Sequence, residues 1–314
     1  MSSFAEATAV TPIDSHTYSA YLDDDWAIGT VPHGGYVTAL FLKVASVHFS
    51  STLAGYNQPH TISLHLEFLR RSTVGPAIFK VQDIKLGRQT SNIHVSLSQE
   101  GKEEVVGYLI NSNIQTENGP STPNDWKLLP SAYPVDLRHL NDDQDKYWGR
   151  LEYLPFSNFR KALQRLKWWL PRNGQLSQEL ADEWISFENG DRMNQESLGF
   201  VCDCWQQLGE PGQGEGLNSI TEEKYAELAS YWYPTLVLNL DIKKVLPPEG
   251  VEFLFVRVRA KQTKNGRRDL EIVIIDDEND IVALSHHQCL ILPVDRNLAA
   301  RTKQGNDANG ESKL

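Results

Sequence analysis

The stretch that most constrains this chain is Val31-Pro32-His33-Gly34-Gly35-Tyr36 and the apolar segment Val37 to Phe49 that follows it. Pro32 and two glycines stop whatever precedes them. Val37, Leu40, Phe41, Val44, Ala45 and Val47 then recur at three and four residues, which predicts a helix beginning at the glycines. Apolar residues occupy most of its circumference, and Lys43 is nearly its only charge, so it must be wrapped by other structure on several sides. Four runs rich in β-branched and aromatic residues can supply the wrap: Thr61 to Leu69, Ala77 to Leu86, Ser91 to Gln99 and Glu104 to Ser112. The expected class is α+β, an antiparallel sheet curved around one helix.

Much of this pattern repeats. Thr61-Ile-Ser-Leu-His65-Leu-Glu67 sets beside Thr235-Leu-Val-Leu-Asn239-Leu-Asp241, each followed by a pair of cations, and Gly35-Tyr36-Val37 sets beside Gly199-Phe200-Val201. Internal duplication predicts two similar units in one chain. The expected boundaries are residues 1–115 for the first unit, 116–178 for a crossover insertion, 179–298 for the second unit and 299–314 for a flexible tail. Within the insertion, Phe159 to Leu170 is expected to form a short amphipathic helix whose Trp168 and Trp169 cover a packing seam. Leu198 to Leu208 is the expected second central helix, and Glu210 to Asn218 a Gly-rich loop without phosphate-loop spacing.

Trp26-Ala27-Ile28-Gly29, His33-Gly34-Gly35-Tyr36, Phe68-Leu69-Arg70-Arg71 and Leu86-Gly87-Arg88 with Gln99 downstream resemble the acyl-CoA thioesterases of the double hot-dog, TesB-like family. The resemblance implies two curved antiparallel sheets, each around a central helix, and an acyl-CoA substrate.

Composition excludes several classes. The 314 residues carry a net charge of −11, which argues against a nucleic-acid binder, although local cations can still hold the phosphates of a CoA ester. No apolar run approaches the roughly 20 residues of a membrane span, and the N-terminus lacks a basic-then-apolar leader. Cys202, Cys204 and Cys289 are too few for a disulfide framework and suit a reducing compartment; no metal or redox cofactor is expected. Ser312-Lys313-Leu314, after the polar stretch Gln304 to Glu311, reads as an address for the peroxisomal import receptor. Homo-oligomerisation is left open.

No Gly-x-Ser-x-Gly elbow or Cys-His signature points to a covalent nucleophile, so a carboxylate that orients water is the expected chemistry. Asp203, inside an apolar helical stretch, is either a paired acid at the helix surface or a working carboxylate. The family resemblance favours the second reading. It matches Asp203 to an aspartate that binds the attacking water with a Thr or Ser and a Gln, the Gln falling on Gln288. Where that family has Thr or Ser, the alignment of strands places Asn239, a departure that puts efficient hydrolysis in doubt. His33, Gly34, Gly35 and Tyr36 read in two ways: as a helix start whose N–H groups face a developing oxyanion, or as a turn that lets the helix enter the sheet, with His33 as a capping or packing residue. Arg70, Arg71 and Arg88 are the expected phosphate contacts, with Lys243 and Lys244 the equivalent pair in the second unit. Two other functions stay in play: a non-hydrolytic acyl-CoA-binding or biosynthetic accessory protein, and a hot-dog hydratase or dehydratase, whose Asp-x-Asn-Pro-x-His signature is absent.

Overall fold

A computed structural model describes residues 2–123, 125–152, 154, 156–205 and 231–299. The first half holds helix α1 (Phe4–Ala7), strands β1 (Thr11–Pro12) and β2 (Thr17–Leu22), and a small ribbon of β3 (Ala27–Ile28) with β4 (Val31–Pro32). Helix α2 (Gly34–Ser50) and strands β5 (His60–Phe68), β6 (Gly75–Lys85), β7 (Ser91–Gln99) and β8 (Lys102–Ser112) complete it. The second half runs β9 (Trp148–Arg150), β10 (Leu166–Pro171), β11 (Leu180–Phe187), helix α3 (Ser197–Val201), β12 (Tyr231–Trp232), β13 (Thr235–Ile242), β14 (Leu254–Lys264), β15 (Arg267–Ile275), β16 (Ile281–Leu290), β17 (Leu292–Pro293) and helix α4 (Asp295–Leu298). Among the described residues no helix is long and apolar enough to cross a membrane.

As its periodicity predicts, α2 starts at Gly34 and is buried on nearly every side, from Gly35 and Tyr36 through Leu40, Phe41 and Val44 to Phe49. One antiparallel sheet of thirteen strands provides the wrap, in the order β1-β2-β6-β7-β8-β5-β13-β16-β15-β14-β11-β10-β9. The two halves meet at β5 and β13, where His65 pairs with Asn239, the residues that occupy equivalent places in the repeat. A pseudo-twofold axis therefore passes through that pair. Both strands carry a bulge at the same point, between Thr61 and Ser63 and between Thr235 and Val237, so the duplication extends to backbone irregularities.

The two central helices cross where both are stripped to glycine. A Cβ on Gly35 would lie 2.6 Å from the Phe200 carbonyl oxygen, and one on Gly199 would lie 2.7 Å from the Ala39 nitrogen. Only glycine permits this approach.

Three expectations need correction. Phe159 to Leu170 is not a helix: Lys161–Arg165 forms a 3₁₀ turn, and Leu166–Pro171 is the strand β10, paired with β11. An unpaired β11 edge and the β preference of the tryptophans outweigh the weak helical pattern. The 116–178 stretch is accordingly more than a crossover. It adds β9 and β10 to the sheet, and with Leu140, Trp148 and Trp169 it builds a second apolar cluster on Trp184, Phe253 and Phe255. Every residue of β11 is buried as a result, including the bidentate pair of Asp182 with Arg257 at 2.6 and 2.7 Å. Finally, the second central helix ends at Val201, and Cys202 and Asp203 form a turn beyond it. Residues after Trp205 in the expected helix, and the Gly-rich loop 210–218, lie outside the described residues.

Candidate active site

The crossing of α2 and α3 opens on one side into a cavity of about 650 Å3. Its inner end is made by His33, Gly34, Asp203 and Thr235, and its walls by aromatic residues from both halves, among them Phe68, Phe159, Trp205 and Tyr233. Arg70, Arg71 and Arg296 stand on the solvent side, and Arg160, only 5% exposed, lies in the wall.

Asp203 is held at the positive end of α2. Its Oδ2 accepts a hydrogen bond from the Gly35 N–H at 2.7 Å, and its Oδ1 accepts one from the Thr235 hydroxyl at 3.3 Å. A carboxylate offers about four lone-pair sites, so both oxygens retain capacity for a ligand or water. Burial pushes the Asp203 pKa up to about 7, against the opposing effect of the Gly35 and Thr235 hydrogen bonds. The group is thus poised to exchange a proton near neutrality.

Two histidines flank it, and both are kept neutral. His33 caps α2, its Nδ1 accepting from the Gly35 N–H at 3.2 Å, which leaves the proton on Nε2, 3.8 Å from Asp203 Oδ2. Burial carries its pKa down to about 4, opposed by Asp203 and assisted by the Arg160 charge. His287 lies 4.0 Å from Asp203 Oδ1, and neither of its ring nitrogens has a hydrogen-bond partner among the described residues. Burial, then the neighbouring His286 and His33, brings it down to about 3.

Of the expected site residues, the structure brings His33, Gly34, Gly35 and Asp203 together. Gly34 is needed there, because a Cβ would lie 2.7 Å from Asp203 Oδ2. Tyr36 is an anchor instead of a ligand contact: its hydroxyl donates to the Ala7 carbonyl at 2.7 Å within the core. Arg70 lines the cavity while donating to the Glu103 carbonyl at 2.6 Å. Arg71 also lines it, but its guanidinium fastens the chain end, donating to the carbonyls of Arg296, Asn297 and Ala299. Arg88 does not belong to the site. It is exposed beyond the end of β6 remote from Arg71, about 33 Å along an 11-residue strand. Lys244 is likewise engaged elsewhere, donating to Asp276, Glu278 and Asp280.

Asn239 and Gln288 are the two clear corrections. Asn239 alternates with the buried Leu238 and Leu240 and so projects from the opposite face of the sheet, where its Oδ1 meets His65 Nδ1 at 2.7 Å. Gln288 lies between the buried His287 and Cys289, and the same alternation turns it outward. The inward places belong to Thr235 and His287. Thr235 was legible in principle, since it heads the repeated strand at the place of Thr61. Strand alternation sends one of His286 and His287 to the cleft and the other to solvent, as observed; that it is His287 needed the strand's facing, which a one-residue error reverses. Arg160 lies in the insertion, where no repeat guides the eye.

Comparison with known proteins agrees with this architecture. Residues 22–112 match the acyl-CoA thioesterase N-terminal domain, and residues 134–291 the acyl-CoA thioesterase C-terminal domain. The thioesterase-like protein TwmA of Talaromyces wortmannii is 34% identical, over 95% of this chain and 94% of its own length. Among solved structures, a hot-dog protein of unknown function from Alicyclobacillus acidocaldarius superposes with a TM-score of 0.70 at 15% identity, over 93% of this chain and 98% of that one. Acyl-CoA thioesterase II TesB2 of Mycobacterium marinum gives 0.60 at 16% identity, over 92% and 97%. At such identities these structures speak for the fold alone.

Proposed function

This chain belongs to the acyl-CoA thioesterase family, a family of thioester hydrolases, and from that premise we propose that its cavity hydrolyses an acyl-CoA to a free acid and CoA with Asp203 as general base. The observation that carries the reading is a buried carboxylate fixed on a helix N-terminus at the end of an aromatic cavity, where burial pushes its pKa up to about 7. The apolar walls take the acyl group, and the exposed Arg70 and Arg296 attract CoA phosphates at the entrance. A thioester carbonyl laid against Gly34 is polarised by first-turn N–H groups and the helix dipole. Water bound between Asp203 Oδ1 and the Thr235 hydroxyl attacks the carbonyl carbon and gives its proton to Asp203. The C–S bond then breaks, and the thiolate of CoA recovers that proton.

The decisive experiment incubates the protein with a panel of acyl-CoAs and follows free thiol. Thiol release that disappears in Asp203→Asn, with acyl-CoA still bound, supports the assignment; undiminished release in that variant sinks it. A second reading, acyl-CoA binding without hydrolysis, draws on the absence of a side-chain amide beside Asp203 among the described residues. Binding without thiol release in the unaltered protein would favour it. We also propose peroxisomal delivery through Ser312, Lys313 and Leu314, which lie outside the described residues. A fluorescent N-terminal fusion that stays diffuse in the cytosol with the tripeptide intact would refute that proposal.

A further inference from the structure

At the far end of α2, some 14 residues or about 21 Å along the helix from Gly34, three side chains from separate elements converge. His48 comes from the last turn of α2, His16 from the residue preceding β2, and Asp83 from β6. His48 Nε2 is 3.0 Å from Asp83 Oδ1, and His16 Nε2 is 3.1 Å from Asp83 Oδ2. One donor atom from each residue fits within a sphere of mutual distances under 4.8 Å. Ligand atoms about 2.0 Å from a tetrahedral zinc ion are separated from one another by about 3.3 Å, so each histidine already stands near that spacing from an Asp83 oxygen.

The second contacts of each imidazole are also those of a metal ligand. Ring orientation at metal sites is fixed by a hydrogen bond to the nitrogen that does not ligate. Here the Tyr18 hydroxyl lies 2.8 Å from His48 Nδ1, and the Ser15 hydroxyl 2.8 Å from His16 Nδ1. A hydroxyl can donate or accept. Each ring can therefore carry its proton on Nδ1, held by that hydroxyl, and turn an Nε2 lone pair toward an ion that takes the place of the proton now between Nε2 and Asp83. The access is one-sided: the His48 side chain is fully buried, whereas that of His16 is 41% exposed. A fourth position therefore faces solvent.

We propose that His16, His48 and Asp83 form a binding site for one divalent zinc ion, completed by water, that staples the end of α2 to the first-half sheet. Two imidazoles and a carboxylate are a donor set suited to zinc and unsuited to calcium or magnesium, which take oxygen ligands. Its distance from the cavity makes the ion a structural element independent of thioester chemistry. No local motif announces it, because the three ligands are separated by 32 and 35 residues.

The test uses untagged full-length protein stripped with chelator, then titrated with zinc by calorimetry and with cobalt by visible absorption. The expected result is one ion per chain, a tetrahedral cobalt spectrum and a rise in thermal midpoint on adding zinc. Asp83→Asn and the more exposed His16→Gln should each weaken zinc at least tenfold, while Asp203→Asn should bind it as the unaltered protein does. Absence of stoichiometric binding overturns the proposal. So does zinc affinity that survives both ligand substitutions, or that is lost in Asp203→Asn, which would move the ion to the cavity.

Discussion

The two halves share strand order, seam and bulge, yet only one of the two symmetry-related places is equipped for chemistry. In the second half, Asp203 follows the central helix and faces Thr235 and His287. By the repeat and the strand pairings, the first half has Ala39, Thr61 and Leu109 there; the Thr61 hydroxyl is spent on Asn111 at 3.0 Å. The helix start is divided the other way. His33, Gly34 and Gly35 belong to the first half, so the acid of one copy sits on the helix end of the other. A duplicated chain can let each copy keep one half of the chemistry and give the remainder to packing, which a symmetric dimer of identical subunits cannot do.

This asymmetry can be attacked directly. Asp203→Asn should lower turnover by about 10²- to 10⁴-fold, the range expected for loss of a general base, measured as CoA release with affinity tracked separately. The mirror change Ala39→Asp should create no second site. It places a carboxylate at a fully buried position, and should cost several kcal/mol, seen as a fall in the denaturant midpoint with no gain in rate. Next in size is the covered outer face that only the second half has. Asp182→Ala strands the Arg257 guanidinium in the interior and should cost about 3–5 kcal/mol, measured by equilibrium unfolding.

The pH dependence follows from Asp203 with a definite sign. Turnover requires its ionised form, so the rate should rise with pH and level off above about 7. Stability moves oppositely. Because the folded pKa is raised, the group's contribution is fully present below the unfolded value near 3.8 and is lost as pH rises through about 7. Asp203→Asn, inactive, should therefore gain on the unaltered protein in thermal midpoint between pH 4 and 8. Gly35→Ala comes after this: its Cβ presses on the Phe200 carbonyl and on Asp203 Cβ, and about 1–3 kcal/mol of strain is expected, with a lowered rate. The smallest effect belongs to the seam. Asn239→Ala should leave turnover unchanged and shift stability by about 1 kcal/mol or less.

The fold was largely readable because its signals are local and repeated. Glycines before an apolar helical run, and strands whose alternation returns 174 positions later in Thr61 and Thr235, specify a wrapped helix twice over. The site was only half readable. His33, Gly34, Gly35 and Asp203 declared themselves by backbone and by burial, properties visible along the chain. The choice between Gln288 and His287, and between Asn239 and Thr235, depends on which face of a strand points inward. A bulge next to Thr235 decides that facing at one of them, and a single inserted residue inverts every assignment after it. The tryptophans at 168 and 169 misled for a related reason: a vacant sheet edge recruited them, and that vacancy exists only in three dimensions.

The join between β5 and β13 has a mechanical implication. Two half-sheets joined by one hydrogen-bonded seam form a single continuous surface, and that seam offers no hinge about which the halves could swing apart. Passage is left to the mouth beside Arg70 and Arg296, whose rim is formed in part by the short β12–β17 ribbon and by α4.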